Sequence, residues 1–467
     1  MNNFVGRKKE LNILENRYNS ESFEFGYLYG QRRIGKTSLL DHFQVGKKSL
    51  MLFATDSEDA DIRDSFTKEL SKKTGITYGA FKNWYDFFEA VDDYFKNDKG
   101  ILVIDEYPNI MLTRDGKRKR TDFPSMLQKA IDNLYNHRKF TLVITGSNIS
   151  LMEKEMNDNN APLYQRNTFS LLLKKLEWDE AIESLKGISN KKKAEFLSLT
   201  NTFPYYLSLI DKNASLDDNL LRLFYGVDAI FTDDPSKIIT SDKATGGLYA
   251  SLIKHISLGR NTIDELCKTL DIDSSKMNKY VKELINDNIL KRIGNFNSNR
   301  NIKLEIIDPM LTFYYRFIRE NVENIKRGYG ELIKKEQENS IKDFFDHQFE
   351  NICVTYLEYL DKNSQLDALY IDFYSFTVDH SKLGRSVQID VLGASNSHLL
   401  IGECKYSKNP RTIKDYFDMK EDTSIEVFNQ FHNKEYYLFG ASGFTKELLD
   451  YKDEHLHLID LDKMFGE

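Results

Sequence analysis

Apolar and polar positions change rhythm several times along the chain. Up to about residue 170, short apolar runs alternate with stretches whose apolar residues recur every three or four positions. The runs end at Tyr29 (with Phe25, Tyr27 and Leu28), or cover 49–54, 100–105 and 140–145. Runs of this length predict strands buried on both faces, and helical stretches between them predict a parallel α/β sheet with helices on both sides. From 171 to 244 the rhythm is helical, clearest in 178–185 and 194–199, and predicts a small helical lid. Residues 245–310 then predict three helices (248–256, 262–270, 274–286) and two short strands (290–293, 302–306) around a turn rich in Gly and Asn. That is the order of a winged helix. The last stretch, 311–467, opens with a helix over 344–360 and continues with strands at 387–392 and 399–403. No internal repeat or low-complexity linker interrupts the four segments, expected as domains 1–170, 171–244, 245–310 and 311–467.

Composition narrows this little. With 467 residues, about three units with cores of their own are expected. The cysteines, Cys267, Cys353 and Cys404, are few, scattered and odd in number, which predicts neither a disulfide framework nor a zinc site and suits a reducing cytoplasm. No stretch approaches the roughly 18 apolar residues of a membrane span, so a cytoplasmic location without membrane association is expected. The net charge of −7 argues against broad nonspecific affinity for nucleic acid and leaves a local basic surface open.

Residues 30–37 read Gly-Gln-Arg-Arg-Ile-Gly-Lys-Thr, between a predicted strand and a predicted helix. This is the pattern of a phosphate-binding loop. Gly30 and Gly35 let the backbone curl so that successive N–H groups and the helix N-terminus address phosphate; Lys36 adds a mobile charge and Thr37 a hydroxyl ligand for Mg²⁺. Arg33 and Ser38 belong to the same nucleotide-binding set. The run 101–104 ends in Asp105-Glu106, carboxylates at the C-terminal edge of a strand. Asp105 would hold Mg²⁺, directly or through water, and Glu106 would polarise the attacking water. Together the two motifs imply an ATPase.

Phe4-Val5-Gly6-Arg7 with Glu10-Leu11 resembles the opening box of AAA+ and STAND ATPases, a segment that packs beside the adenine. The whole chain is similar to an archaeal and bacterial ATPase family that joins such a module to a further C-terminal domain. Residues 141–148 resemble the family's fourth core strand, whose terminal polar residue senses the γ-phosphate; here that is Ser147 or Asn148. Pro162-Leu163-Tyr164-Gln165-Arg166 resembles a Pro-Leu-Tyr-Gly-Arg motif, which makes Arg166 the candidate arginine finger, able to act from a neighbouring subunit of a homo-oligomer. Pro204-Tyr205-Tyr206-Leu207 resembles a lid motif in which Asn201-Thr202 replaces two glycines. Ile307-Asp308-Pro309 and 313–317 look like the start of the family's C-terminal region.

A second constellation lies there. Asp390 is followed twelve residues later by Glu403-Cys404-Lys405. If two antiparallel strands carry them, period-two geometry puts Glu403 and Lys405 on one face, and Asp390 converges on them. The carboxylates would hold Mg²⁺ or Mn²⁺, and Lys405 would position the water that attacks a phosphodiester. The arrangement resembles the PD-(D/E)xK nuclease core, in which Glu350 matches an acidic residue from the first helix; such folds also serve as binding modules. Lys276, Lys279 and Lys282, with Lys291, Arg292, Arg300 and Lys303, would offer DNA phosphate contacts on a winged helix, or a solvated face. The basic run 114–120 reads as a solvated loop. No histidine shows ligand spacing. The sequence therefore predicts an ATP-hydrolysing protein whose nucleotide state controls a Mg²⁺-dependent nuclease-like domain acting on DNA; the alternative is an ATP-driven signalling or defence switch, or scaffold, with a non-cleaving nuclease fold.

Overall fold

The structure, a computed structural model, describes residues 4–96, 98–113, 118–232, 246–295, 298–370, 372–380 and 384–466. Five strands form the first sheet: β1 (Glu24–Tyr29), β2 (Ser49–Phe53), β3 (Gly100–Asp105), β4 (Phe140–Gly146) and β5 (Phe169–Leu172). They are all parallel, in the order β2-β3-β4-β1-β5. Every residue of β1, β3 and β4 is buried, which is why these strands read as unbroken apolar runs. Successive residues face opposite sides. Leu28, Val103 and Val143 pack with Leu39, Leu40 and Phe43 of the helix Lys36–Phe43, while Tyr27, Ile104 and Ile144 pack with Phe66, Trp84 and Leu127 from helices on the other face. The fifth strand escapes the sequence pattern because it has four residues, of which only Phe169 is buried.

The order places the site. β1 lies between β4 and β5, with Tyr29 opposite Gly146, and β3 runs beside β4. The ends of β1, β3 and β4, carrying Gly30, Asp105 and Ser147, therefore emerge side by side.

Helices Trp178–Ser184, Asn190–Thr200 and Pro204–Leu209 come next, where a lid is expected; its stretch 233–244 lies outside the described residues. After them stand helices Gly246–Ser257, Ile263–Leu270 and Ser274–Asn286 and an antiparallel ribbon of β6 (Leu290–Asn295) and β7 (Ser298–Ile306). The helix Glu338–Lys362 leads to a second sheet of β8 (Phe373–His380), β9 (Arg385–Ala394), β10 (His398–Lys405), β11 (Asn433–Gly440) and β12 (Leu456–Asp460). Its order is β12-β11-β10-β9-β8, antiparallel from β8 to β10 and parallel from β10 to β12. Phe349, Ile352 and Leu357 of the long helix cover one face, through Val391, Leu400 and Phe439. Tyr416 and Met419 of the helix Ile413–Asp422 cover the other, through Leu392, Leu399 and Leu438.

The core does not stop at the expected domain limits. One apolar cluster runs from Leu28 through Phe196 and Phe313 to Phe349 and Phe439. The C-terminal helix Leu461–Phe465 also returns to the helices Trp178–Ser184 and Asn190–Thr200, where Trp178 Nε1 donates to the Met464 carbonyl at 3.0 Å, the Trp178 ring stacks on Phe465 at 5.5 Å, and Asn190 Nδ2 donates to Asp462 Oδ1 at 2.8 Å. No helix among the described residues is long and apolar enough to cross a membrane.

Candidate functional site

The loop after β1 is built for close approach. Gly30 has φ 153°, and a Cβ there would lie 2.3 Å from the Leu173 carbonyl oxygen; Gly35, the residue before the helix Lys36–Phe43, has φ 88°. That helix starts with no side-chain cap and no acidic residue in its first turn, leaving its first N–H groups for an anion. Lys36 is buried, and its Nζ donates to the carbonyls of Gly30 at 2.8 Å and Gln31 at 3.1 Å. Burial lowers its pKa, opposed by Glu106 and Asp105. A phosphate would meet a desolvated cation already held at the loop, so the residues fit a nucleotide.

Asp105 is fully buried. Its Oδ2 accepts from Thr37 Oγ1 at 3.0 Å, and its Oδ1 accepts from Thr145 Oγ1 and from the Glu106 N–H at 3.0 Å. The carboxylate and the Thr37 hydroxyl thus stand together as two hard oxygen donors, a set that fits Mg²⁺. Glu106 sits at φ 54°, and its Oε2 accepts from Ser147 Oγ at 2.9 Å. Of the two residues expected as sensor, Ser147 reaches Glu106, whereas Asn148 caps the helix Ile149–Asn157 through the Leu151 N–H at 2.9 Å. Ser38 is exposed on the helix's first turn.

The opening box also meets the loop. Phe4 stacks on His42 at 4.3 Å, next to Val5, and Gly6 takes φ 76°. The buried Arg7 donates to the Ile34 carbonyl at 2.8 Å and the Lys174 carbonyl at 2.5 Å. Arg166 stands differently: it grips Asp132 with two bonds, 3.0 and 2.9 Å, and donates to the carbonyls of Pro162 and Tyr164.

Two contacts of the loop were not legible in the sequence. Arg33 lies 5.5 Å from the ring centroids of Tyr205, Tyr206 and Phe231, and donates to Tyr206 Oη at 2.9 Å. Tyr206 Oη in turn donates to Asp308, whose other oxygen caps the helix Pro309–Phe313 through the Leu311 N–H. Gln31 Oε1 accepts from Asn288 Nδ2 at 2.7 Å. The loop is thereby tied both to the helix Pro204–Leu209 and to the segments around the β6–β7 ribbon.

A family model described as an ATPase domain predominantly from Archaea matches residues 4–210. Residues 4–210 are thus similar to an archaeal ATPase domain, and the P-loop lies within them. A second model, for archaeal and bacterial proteins of unknown function, matches residues 314–420. An uncharacterized protein of Methanocaldococcus jannaschii is 24% identical over 457 residues, 95% of this chain and 97% of its own. An uncharacterized ATP-binding protein of the same archaeon is 47% identical over 45 residues, 10% of this chain and 76% of its own. The fold is shared with the Walker-type ATPase of Pyrococcus abyssi, at TM-score 0.50 and 18% identity, over 67% of this chain and 96% of that one.

Far from the ATPase domain in sequence, Asp390 sits at a bulge. Tyr374 pairs with Leu392 but Phe376 with Ile389, so β9 spends two residues, Asp390 and Val391, where β8 spends one. Against β10 the register runs from Leu399–Ala394 to Gly402–Val391, the residues just before Glu403 and just after Asp390. Asp390 Oδ2 accepts from the Cys404 N–H at 2.9 Å. Burial, then Glu350 and Glu403, push the Asp390 carboxyl up to about 7. Glu403 is also pushed up, by burial, and forms an ion pair at 3.2 Å with Arg411, a buried residue that no sequence motif marks. Glu350 on the long helix stands 3.0 Å from His347 Nδ1, and this contact raises the imidazole pKa. Lys405 is exposed, two residues beyond Glu403 on the same strand face. Asp390 thus feels the charges of Glu350 and Glu403, with one backbone donor to itself and one arginine on Glu403, although the three carboxylates do not close into a ready-made cation cage.

The basic positions divide. Lys276, Lys279, Lys282 and Arg292 are exposed and Lys303 is half-buried, but Lys291 pairs with Glu305 at 3.1 Å, and the side chain of Arg300 lies outside the described residues. In the run expected as a solvated loop, 114–117 lie outside the described residues. Two of the others are anchored and Arg120 is exposed: Arg118 pairs with buried Glu155 at 3.2 Å, and Lys119 Nζ donates to the carbonyls of Ser57 and Asn109 at 2.5 and 2.9 Å.

Proposed function

We propose that ATP binding and hydrolysis at the loop switch a metal-dependent phosphodiesterase site at Asp390, Glu403, Glu350 and Lys405, acting on DNA. The observation that carries this reading is the buried Asp390 at the β9 bulge, whose carboxyl is raised by burial and by the charges of Glu350 and Glu403.

In the ATPase domain, the loop N–H groups and Lys36 hold the phosphates, with Arg33, Gly30 and Gly35 shaping the loop. Thr37 and Asp105 would hold Mg²⁺, which neutralises phosphate charge when bound. Glu106 accepts a proton from the attacking water, and Ser147 orients its carboxylate. Phe4, Val5, Gly6 and Arg7 fix the edge nearest the adenine. Arg166 serves a neighbouring copy of the chain in an oligomer. At the second site Asp390, Glu403 and Glu350 would hold Mg²⁺ or Mn²⁺, and Lys405 positions the water at the scissile phosphate. The three helices and ribbon of 246–306 act as a winged helix, with Lys276, Lys279 and Lys282 towards DNA phosphates. The links from Arg33 to Tyr206 and Asp308, and from Gln31 to Asn288, supply the path by which the nucleotide reaches these segments.

The Arg411–Glu403 ion pair favours a second reading, in which the carboxylate cluster no longer cleaves and the chain is an ATP-driven switch or scaffold. ATP turnover with and without duplex DNA at several salt concentrations separates the two. A rate that DNA changes, less so at high salt and not at all in the Lys276→Glu, Lys279→Glu double variant, supports DNA action; a rate indifferent to DNA supports the second reading.

A further inference from the structure

At the opposite end of the second sheet stands a cluster that neither reaction uses. Asp367, on the segment after the long helix, Glu435, near the start of β11, and His457, on β12, bring two carboxylate oxygens and a ring nitrogen within 4.8 Å of one another. Glu435 pairs in register with Leu400, three steps before Glu403, so this is a separate place on the sheet. Glu435 is buried and lies between two imidazoles, with Oε2 at 2.8 Å from His457 Nε2 and Oε1 at 2.9 Å from His455 Nδ1. The His457 ring is fixed by stacking on Tyr437 at 4.3 Å.

A second observation points to a ligand. Tyr370 is 6% exposed, and its hydroxyl has no hydrogen-bond partner among the described residues. Burial, then the charges of Asp367, Glu435 and Asp361, push its phenol up, so it lies within reach of their field. Buried hydroxyls without partners are rare, and each calls for something to bond to.

We propose that Asp367, Glu435 and His457 bind one divalent cation of the Zn²⁺ class. One imidazole and two carboxylates are the donors such a cation takes, and ligand lengths of about 2 Å around a tetrahedron set neighbouring donors about 3 Å apart, as Glu435 and His457 stand. His455 holds the outer oxygen of Glu435 and so orients the ligand. Water completes the shell and accepts from the Tyr370 hydroxyl. The cation clasps the segment after the long helix to the β11–β12 edge, and Mg²⁺, which prefers oxygen donors in an octahedron, does not replace it.

The test is equilibrium dialysis of the full chain against Zn²⁺ in excess Mg²⁺, which occupies the oxygen-only sites, followed by metal analysis. Wild type retains one Zn²⁺ per chain; Asp367→Asn and His457→Gln each weaken retention by about tenfold or more, and the Co²⁺-loaded wild type shows a visible absorption band that His457→Gln loses. No retained Zn²⁺, or equal retention by wild type and Asp367→Asn, overturns the proposal. Asp367 is exposed on a connecting segment, so its variant decides the question even if His457→Gln fails to fold.

Discussion

The two sheets handle buried carboxylate in opposite ways. Asp105 is surrounded by donors, two threonine hydroxyls and a backbone N–H, so its charge is satisfied before anything binds. Asp390 has one backbone donor and two carboxylates for neighbours, and its proton is held up to about pH 7. The first arrangement is preorganised: the groups that stabilise charge are in place and need not move. The second stores repulsion that either a proton or a cation relieves. The second therefore makes stability depend on pH.

The largest break in this comparison comes from Lys36→Ala, which removes the cation addressed to phosphate. ATP turnover falls by about a hundredfold or more, while Glu106→Gln loses turnover to a similar degree and keeps bound nucleotide. Filter binding beside a phosphate-release assay separates the two losses; ordinary turnover in both variants removes the roles given to these two residues.

Next in size is the pH response of the second sheet. A carboxyl raised in the folded state binds a proton that the unfolded chain has already released. Stability therefore falls as pH rises from the ordinary carboxylate range through about 7, and the contribution is complete only below that range. Asp390→Asn flattens this slope in denaturant titrations taken from pH 4 to 8. Added Mn²⁺ should raise the wild-type midpoint more at pH 8 than at pH 5, and leave the variant unmoved.

Smaller again is Tyr206→Phe. It removes the hydroxyl between Arg33 and the half-buried Asp308, leaving a carboxylate oxygen short of a donor, and should cost about 1–3 kcal/mol in denaturant titrations. The least effect belongs to Asn288→Ala, which deletes an exposed contact to Gln31: about 1 kcal/mol or less, with ATP turnover changed less than severalfold. A Tyr206→Phe enzyme whose turnover responds to DNA like wild type would argue against the lid as the path between the sites.

What the sequence disclosed depends on how far apart the cooperating residues lie. Gly30 to Thr37 is a continuous strand, loop and helix, so its pattern carries its own geometry. Asp105 was legible because a buried parallel strand announces itself as an apolar run, here ending in carboxylates, whereas Ser147 or Asn148 came only from the resemblance of 141–148 to a family's core strand. The pair Asp390 and Glu403 was readable because one hairpin joins them, but the bulge that aims Asp390, and Arg411 beside Glu403, depend on neighbours the pattern does not encode. The Arg33–Tyr206–Asp308 chain spans 173 and then 102 residues of separation, and no local rhythm marks it. Asp367, Glu435 and His457 are equally scattered, which is why histidines without ligand spacing could still meet two carboxylates. Four-residue β5, half out of the core, was lost for a local reason: it is too short for a period to show.

The central claim is that ATP at the first sheet governs phosphodiester chemistry at the second. The direct measurement is cleavage of end-labelled duplex and single-stranded DNA by the full chain with Mg²⁺ or Mn²⁺, with and without ATP. Wild type, Lys36→Ala, Asp390→Ala and Lys405→Ala are run side by side. The account predicts cutting by wild type that changes with ATP, loses that response in Lys36→Ala, and disappears in Asp390→Ala and Lys405→Ala. Absence of cutting under every condition, or equal cutting by wild type and Asp390→Ala, would contradict it.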